Sequence, residues 1–303
     1  MTRINILLPC PGLPTGRYWG DYHFGHSLAK ALERRGISVR IIYRPHRPFL
    51  ARFSLRSGTD IVIRGPFAHL PRVWPWVKSH LWLISTGEIT PNEVKADSHI
   101  FAASQQLADE QTALGRSATV LLQCTDAAIF SPDKARDDLA TDVLFVGSWR
   151  VNFHRPVVAA ATEAGFPPVV WGHRWRDKYP AHLFRGVLIP NDELGAHYAS
   201  AKVVLNDHLP SMLSKGLVSN RVYDVLASGA ALISDALADL GPDIPSAQVA
   251  STAEQLKVAI PKALEDHEAG RAARLELAEF IRTHHNFDQR AQEILRVLGI
   301  EHA

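Results

Sequence analysis

The sequence predicts an α/β protein built from two Rossmann-like domains with parallel sheets facing a cleft. Three observations predict it. The chain has 303 residues, against a usual single-domain length of roughly 150. Short apolar strands alternate with segments of helical period along its whole length. That alternation stops at a polar run, residues 131–141, and then begins again.

Residues 4–8 (Ile-Asn-Ile-Leu-Leu) form the opening strand and end at Pro9. A loop carrying Gly12, Gly16 and Gly20 follows, then Phe24, Leu28, Ala31 and Leu32 at helical spacing, closed by Gly36. Residues 38–43 are a second strand, which completes a βαβ unit. Further strands are expected at 60–63, 81–84, 99–102 and 119–122, with a helix over 104–115 closed by Gly115. Beyond the polar run the strands are 142–146, 168–172, 186–189, 202–205 and 230–233. Helices are expected at 157–164, 192–200, from Ser219 onward, 252–266, 268–283 and 287–298. These elements divide into a domain at 1–135, a domain at 136–285, and a C-terminal helix at 286–303 crossing back to the first domain.

Composition bounds the function classes. A chain with 46% hydrophobic and 21% charged residues is neither mostly disordered nor a disulfide-stapled mini-domain. Cys10 and Cys124 are too few for a disulfide framework. No apolar run reaches the roughly 18 residues of a membrane span, and the start does not read as a signal peptide. A cytoplasmic protein is expected. The net charge of +2 conceals an asymmetry: residues 1–80 hold 13 Lys and Arg against 3 Asp and Glu. A basic first domain suits anionic partners, although a solvated basic face accounts for the same charges.

Several signatures are absent from the sequence: Gly-x-Gly-x-x-Gly after either opening strand, a P-loop, an Asp-x-Asp pair, and zinc-ligand spacing. The positive signal lies in residues 206–229. Val222, Val225 and Leu226 form a buried helical stripe, which leaves Arg221, Asp224 and Ser228 on the opposite, open face. Ser219 and Asn220 suit the start of that helix, whose N–H groups and positive dipole end can hold a diphosphate with Arg221 as a forked donor. Asp224, one turn along, can accept from the two hydroxyls of a ribose. A plain i, i+3 pair between Arg221 and Asp224 is the structural alternative.

The second half resembles the glycosyl transferases group 1, nucleotide-sugar enzymes of the GT-B fold, and is most similar to the subgroup typified by spore-maturation glycosyltransferases. The resemblance rests on residues 142–149 with Arg155, on Trp171, Gly172 and Trp175, and on Val204-Leu205-Asn206. It also rests on Arg221-Val222-Tyr223-Asp224 with Gly229, on residues 285–290, and, in the first half, on Ser104 and residues 123–132. It implies a nucleotide-diphosphate sugar as donor substrate, no separate cofactor and no metal ion. Asp224 takes the place of the glutamate that holds the ribose. Arg155, helped by Arg150, neutralises the diphosphate as charge develops on it. Gly147 and Gly172 end strands where backbone passes close to ligand, and Asn206, Lys215, Ser219, Asn220 and Arg221 complete the donor set. The sequence departs from the family at Gly216, where broader members carry a second glutamate. That role is vacant or filled by Lys215 or His208.

The first domain is expected to carry the acceptor, a glycan, a lipid-linked glycan or another hydroxyl compound, and no nucleic acid. Asp21 or His23, in the loop before the first helix, and Glu88, after another strand, are the candidate catalytic groups. Asp21 as a simple helix cap is the alternative. Residues 44–56 and 67–82, with Trp74, Trp76 and Trp82, mix basic and aromatic side chains and suit peripheral contact with an anionic membrane, unless those rings belong to the core. Two further functions stay open: a catalytically inactive sugar-nucleotide-binding partner, and a nucleotide-sugar epimerase of related fold.

Overall fold

The structure, a computed structural model, describes residues 3–44, 57–65, 76–86, 88–235 and 248–300. They form two compact units. One comprises residues 1–123, 210–218 and 287–303, and the other comprises 124–209 and 219–286. Residues 131–141, read from the sequence as a linker, lie within the second unit as two short 3-10 turns.

In the first unit, β1 (Arg3–Leu7), β2 (Ser38–Ile42), β3 (Thr59–Arg64), β4 (Ser79–Leu83), β5 (His99–Ala102) and β6 (Ser117–Val120) form one parallel sheet. Its order is β2-β1-β3-β4-β5-β6. Helix α1 (Gly20–Arg34) follows β1 and buries Phe24, Leu28, Ala31 and Leu32, the spacing the sequence displays. Helix α2 (Gln105–Ala113) starts at Ser104, whose Oγ accepts from the Leu107 N–H at 3.1 Å, and so lies between β5 and β6. Strands β3 and β4 are buried over nearly their full length, as a parallel sheet covered on both faces requires.

The second sheet runs β12-β11-β10-β7-β8-β9 and is likewise parallel throughout. Its strands are β7 (Thr141–Val146), β8 (Val169–Trp171), β9 (Phe184–Gly186), β10 (Ala201–Asn206), β11 (Ala231–Ser234) and β12 (Gln248–Val249). Helices α3 (Pro156–Glu163), α4 (Asn191–Ser200), α6 (Asn220–Ala227), α7 (Ala253–Glu265) and α8 (Arg271–His284) accompany it. Phe145, Trp175, Val203, Leu205, Ile233 and Leu256 share its core with the buried faces of α3 and α7. Two further helices belong to the first unit: the one-turn α5 (Pro210–Leu213) and α9 (Phe287–Val297).

The parallel α/β architecture agrees with the sequence, and the differences are local. The strand expected at 186–189 forms at 184–186, because the pairing partner Val170 meets Phe184 and not the apolar run that follows. Strand β12 was not anticipated: two exposed residues carry no periodic signal.

Read from its edge, the second sheet has the order β9-β8-β7-β10-β11-β12, in which chain order reverses between β7 and β10. In the first sheet the reversal falls between β1 and β3. Ligands of open parallel sheets bind at the carboxyl ends of the strands that flank such a reversal. Gly147 and Asn206 mark that place in the second unit, and Leu8 and Arg64 mark it in the first.

Candidate donor-binding site

At the carboxyl end of β10 stand Asn206, Asp207 and His208, all buried. Asn206 organises the edge. Its Nδ2 donates to Ser234 Oγ at 2.9 Å, and its Oδ1 accepts from Arg221 Nη1 at 2.9 Å and from Ser219 Oγ at 3.4 Å. His208 links strand to helix. Its Nε2 accepts from the Ser219 N–H at 3.0 Å, so the ring proton sits on Nδ1 and donates to Asp235 Oδ1 at 2.5 Å. The Asp235 carboxylate also receives the His208 N–H at 2.7 Å.

At the carboxyl end of β7, Arg155 sits in the left-handed region (φ 55°) immediately before α3. Its side chain turns inward and is 6% exposed. Nη1 donates to Asp207 Oδ1 at 2.6 Å and Nε to the Ser148 carbonyl at 2.9 Å. Two guanidiniums approach the Phe145 ring, Arg155 at 5.4 Å and Arg221 at 5.5 Å from its centroid. Burial pulls the Arg155 pKa down to about 10, with Arg221 and Arg150 adding to the fall and Asp207 opposing it. Burial also raises Asp207, against the pull of Arg155 and Arg221.

Ser219 is the N-cap residue of helix α6, and Ser219, Asn220 and Arg221 remain half-exposed at its tip while Val222 to Ser228 are buried. Asp224 and Ser228 therefore do not lie on an open face. Asp224 is 5% exposed: Thr125 Oγ1 donates to its Oδ1 at 2.7 Å and Asn220 Nδ2 to its Oδ2 at 3.1 Å. Burial raises its pKa well above the ordinary value, despite the Thr125 and Asn220 hydrogen bonds. The reason is packing on a second side: Thr125, 99 residues away in the chain, meets the face the sequence left open.

The two glycines have a definite steric role. A Cβ on Gly172 (φ 146°) would stand 2.3 Å from the Gly147 carbonyl oxygen, and one on Gly147 would meet Phe145 and Arg155. Their closeness is to each other and to the core. Trp175 Nε1 donates to the same Gly147 carbonyl at 2.7 Å, and Trp149 packs edge-on against Trp175. Ser148, Trp149 and Arg150 are the accessible groups of this loop.

Lys215 is part of the first unit, where it pairs with Glu110 at 2.8 Å, and the Ser104 hydroxyl donates to its carbonyl at 2.6 Å. Gly216 (φ 64°) lies beside Ser104 and Gln106. Lys215 is thus tied to α2, and His208 is tied to Asp235 and Ser219.

In the first unit, Asp21 occupies the first turn of α1, and a Cβ on Gly65 would lie 3.6 Å from its Oδ2. His23 Nε2 donates to the Arg17 carbonyl at 3.0 Å. Glu88 is exposed, and its carbonyl accepts from Arg64 Nη2 at 3.1 Å. Asp21 and Glu88 thus both border the carboxyl end of β3. Sequence reading missed the group between them: Arg64, buried and paired with Glu93 at 2.6 Å. Its position after an apolar strand was the available signal. Trp82 is fully buried against Phe24 and donates from Nε1 to the Leu121 carbonyl, so it is core and does not face a membrane. Trp76 is 59% exposed, and Trp74 with residues 45–56 and 66–75 lies outside the described residues. Burial, helped by the Asp21 charge, pushes the free Cys10 thiol up to about 12. Among the described residues no helix is long and apolar enough to cross a membrane, and no cluster of three or more potential metal ligands occurs.

Residues 150–296 match a family model described as glycosyl transferase-like. No curated protein matches the chain. Among solved structures, sucrose-phosphate synthase from Thermosynechococcus elongatus aligns over 99% of this chain and 98% of its own, with a TM-score of 0.69 at 12% identity. T4 phage BGT in complex with UDP-glucose aligns over 99% and 100%, with a TM-score of 0.61 at 12% identity. The Anabaena protein HepE in complex with UDP aligns over the same shares with a TM-score of 0.62, also at 12% identity. The fold is that of the GT-B glycosyltransferases. The matched stretch includes most of the second unit and every residue of the β7–β10 edge described above except Phe145, Gly147, Ser148 and Trp149.

Proposed function

We propose that this protein transfers a sugar from a nucleoside-diphosphate donor, of the uridine class, to a hydroxyl acceptor without a metal ion. One observation carries the reading. At the chain reversal of the second sheet, a half-exposed helix tip, Ser219 to Arg221, brings the Arg221 guanidinium to the Phe145 ring, which the Arg155 guanidinium also approaches. The tip's dipole and the forked donors of Arg221 suit a diphosphate, and they stabilise it as it leaves. Asn206 holds Arg221 in place, and Asp224 holds Asn220, the tip residue next to it. Asp224 reaches a ribose hydroxyl only when Asn220 yields, so Asn220 is the first polar group a nucleoside meets there.

The uridine class is supported by the fold relatives solved with UDP or UDP-glucose. The resemblance at residues 142–175 and 285–290 supports a place beside the spore-maturation subgroup. In the first unit, Asp21 is the favoured proton acceptor, because it stands at the reversal between β1 and β3 beside Gly65. The acceptor is a glycan or a lipid-linked glycan, supported by the basic charge of residues 1–80.

A thermal-shift series with UDP, GDP, ADP, CMP and dTDP tests the donor class. UDP is expected to raise the melting temperature of the wild type and to do so much less with Arg221→Ala. Equal stabilisation of that variant would remove the helix tip from the site. Hydrolysis of UDP-glucose and related donors separates a transferase from a silent binder, and Asp21→Asn is expected to abolish turnover while UDP binding persists.

A further inference from the structure

Asp207 is the buried group that the donor reading leaves without a task. Its side chain is 2% exposed, and its Oδ1 receives Arg155 Nη1 at 2.6 Å from a guanidinium that is itself 6% exposed. Its Oδ2 is fully buried and has no hydrogen-bond partner among the described residues. A diphosphate at this edge would place further negative charge near a carboxylate that already occupies one face of Arg155. Both anions cannot keep Arg155 at full strength in so dry a place.

We propose that Asp207 is a resident counter-ion: it holds Arg155 while the donor site is empty and takes on a proton when a diphosphate arrives. The proton comes from the buffer and goes to Oδ2, the oxygen with nothing bound to it. The neutral acid can still accept from Arg155 through Oδ1, so the guanidinium stays positioned while its charge turns to the diphosphate. This inference rests on the donor reading and adds to it a residue and a proton.

The charged groups around Asp207 set the direction. Arg155 and Arg221 favour the carboxylate, whereas burial and Asp235 oppose it. His208, the next residue, is committed to Asp235 and Ser219. An incoming diphosphate shifts the balance toward the acid, so affinity falls as pH rises. Between about pH 7 and about pH 8.5 the terminal phosphate of UDP, with a pKa near 6, is already ionised and does not obscure the effect.

The test is calorimetric titration of UDP into the full chain and into Asp207→Asn, in two buffers of different ionisation enthalpy. The wild type is expected to take up close to one proton per UDP bound, and to lose affinity by up to about tenfold per pH unit. Asp207→Asn is expected to bind UDP with no buffer dependence, nearly flat affinity across the window, and about tenfold tighter binding at its upper end. The asparagine keeps the hydrogen bond to Arg155, and inorganic pyrophosphate is expected to raise the melting temperature of this variant more than that of the wild type. UDP binding to the wild type without proton uptake would overturn this inference and leave the donor reading standing. A wild type that binds neither UDP nor pyrophosphate would remove both. An unfolded Asp207→Asn leaves the wild-type buffer comparison decisive.

Discussion

Asp224 shows how one carboxylate can be read correctly in its element and wrongly in its surroundings. Spacing placed it on a helix beginning at Ser219, and that helix exists. The face was misread because the covering residue, Thr125, is remote in the chain, and local periodicity reports only the turns next to it. Removing the side chain leaves the Thr125 hydroxyl and the Asn220 amide without their acceptor. Asp224→Ala is therefore expected to cost about 1–3 kcal/mol, measured by urea unfolding. Burial raises the folded-state pKa of Asp224 above its ordinary 3.8. Its contribution is thus fully present below that value and is lost as pH rises through the folded value. Asp224→Asn, which cannot ionise, is expected to show a flatter stability profile above pH 4 than the wild type; an unchanged slope would mean that another group sets it. At neutral pH it is expected to lose less stability than the alanine variant. Asn206, chosen from the sequence as a donor contact, has a full set of partners inside the protein, and its neighbours Asp207 and His208 carry more of the local chemistry. Their place after a strand end was legible. Their pairing with Arg155 and Asp235 was not.

At the scale of elements, the order and type of the strands and helices were readable because buried parallel strands and amphipathic helices give different periods. The edges were less readable. Strand β9 slid off the apolar run because an edge strand is held by pairing on one side only, and Gly186 takes the place opposite Trp171. The glycines at the reversal were predicted to make room for ligand, and in the folded chain they make room for one another. Gly172→Ala puts a Cβ into the Gly147 carbonyl and strains a backbone at φ 146°. It is expected to cost more than about 2 kcal/mol, through strain and steric displacement. Gly115→Ala provides the control: φ is 74° there but nothing lies within 4 Å, so a loss of about 1 kcal/mol is expected. Equal losses at the two positions would show that backbone angle alone matters. In the first unit the carboxyl end of β3 depends on the buried Arg64–Glu93 pair. Burial works against the Glu93 charge, but hydrogen bonds from Arg64 and Thr90 outweigh it and hold the carboxyl below its ordinary 4.5. The stability it supplies is present above that value and is lost as pH falls through the folded value. Glu93→Ala is expected to cost about 3–5 kcal/mol near neutral pH, because it strands Arg64. The penalty is expected to shrink in acid, where the wild type weakens too.

At the scale of the whole molecule, the chain leaves and re-enters its units four times, at 123/124, 209/210, 218/219 and 286/287. Neither unit is one continuous stretch, and this was the least legible feature of the sequence. The closing helix α9 makes the point. Arg34 pairs with Asp288 at 2.8 Å across 254 positions, and Arg290 donates to the Leu122 carbonyl at 2.8 Å across 168. Phe287 packs edge-on against Phe24 of α1 at 4.9 Å, and Ala291, Ile294 and Leu295 are buried. Truncation after residue 286 therefore removes core from the unit that contains the first residues, while the candidate-site residues at β7, β10 and α6 keep their partners. Exposing Phe24 and leaving the Leu122 and Gln123 carbonyls without Arg290 is expected to cost several kcal/mol of first-unit stability, on the order of one large core truncation plus a lost charged hydrogen bond. A chain of two units need not unfold in one step, so the loss should appear as a shift of one calorimetric transition. In the truncated chain UDP is expected still to raise the transition of the second unit, and the first is expected to melt early and bind a hydrophobic dye. A truncated chain whose two transitions fall together and whose UDP response vanishes would show that α9 serves the donor site as well as the core of the first unit.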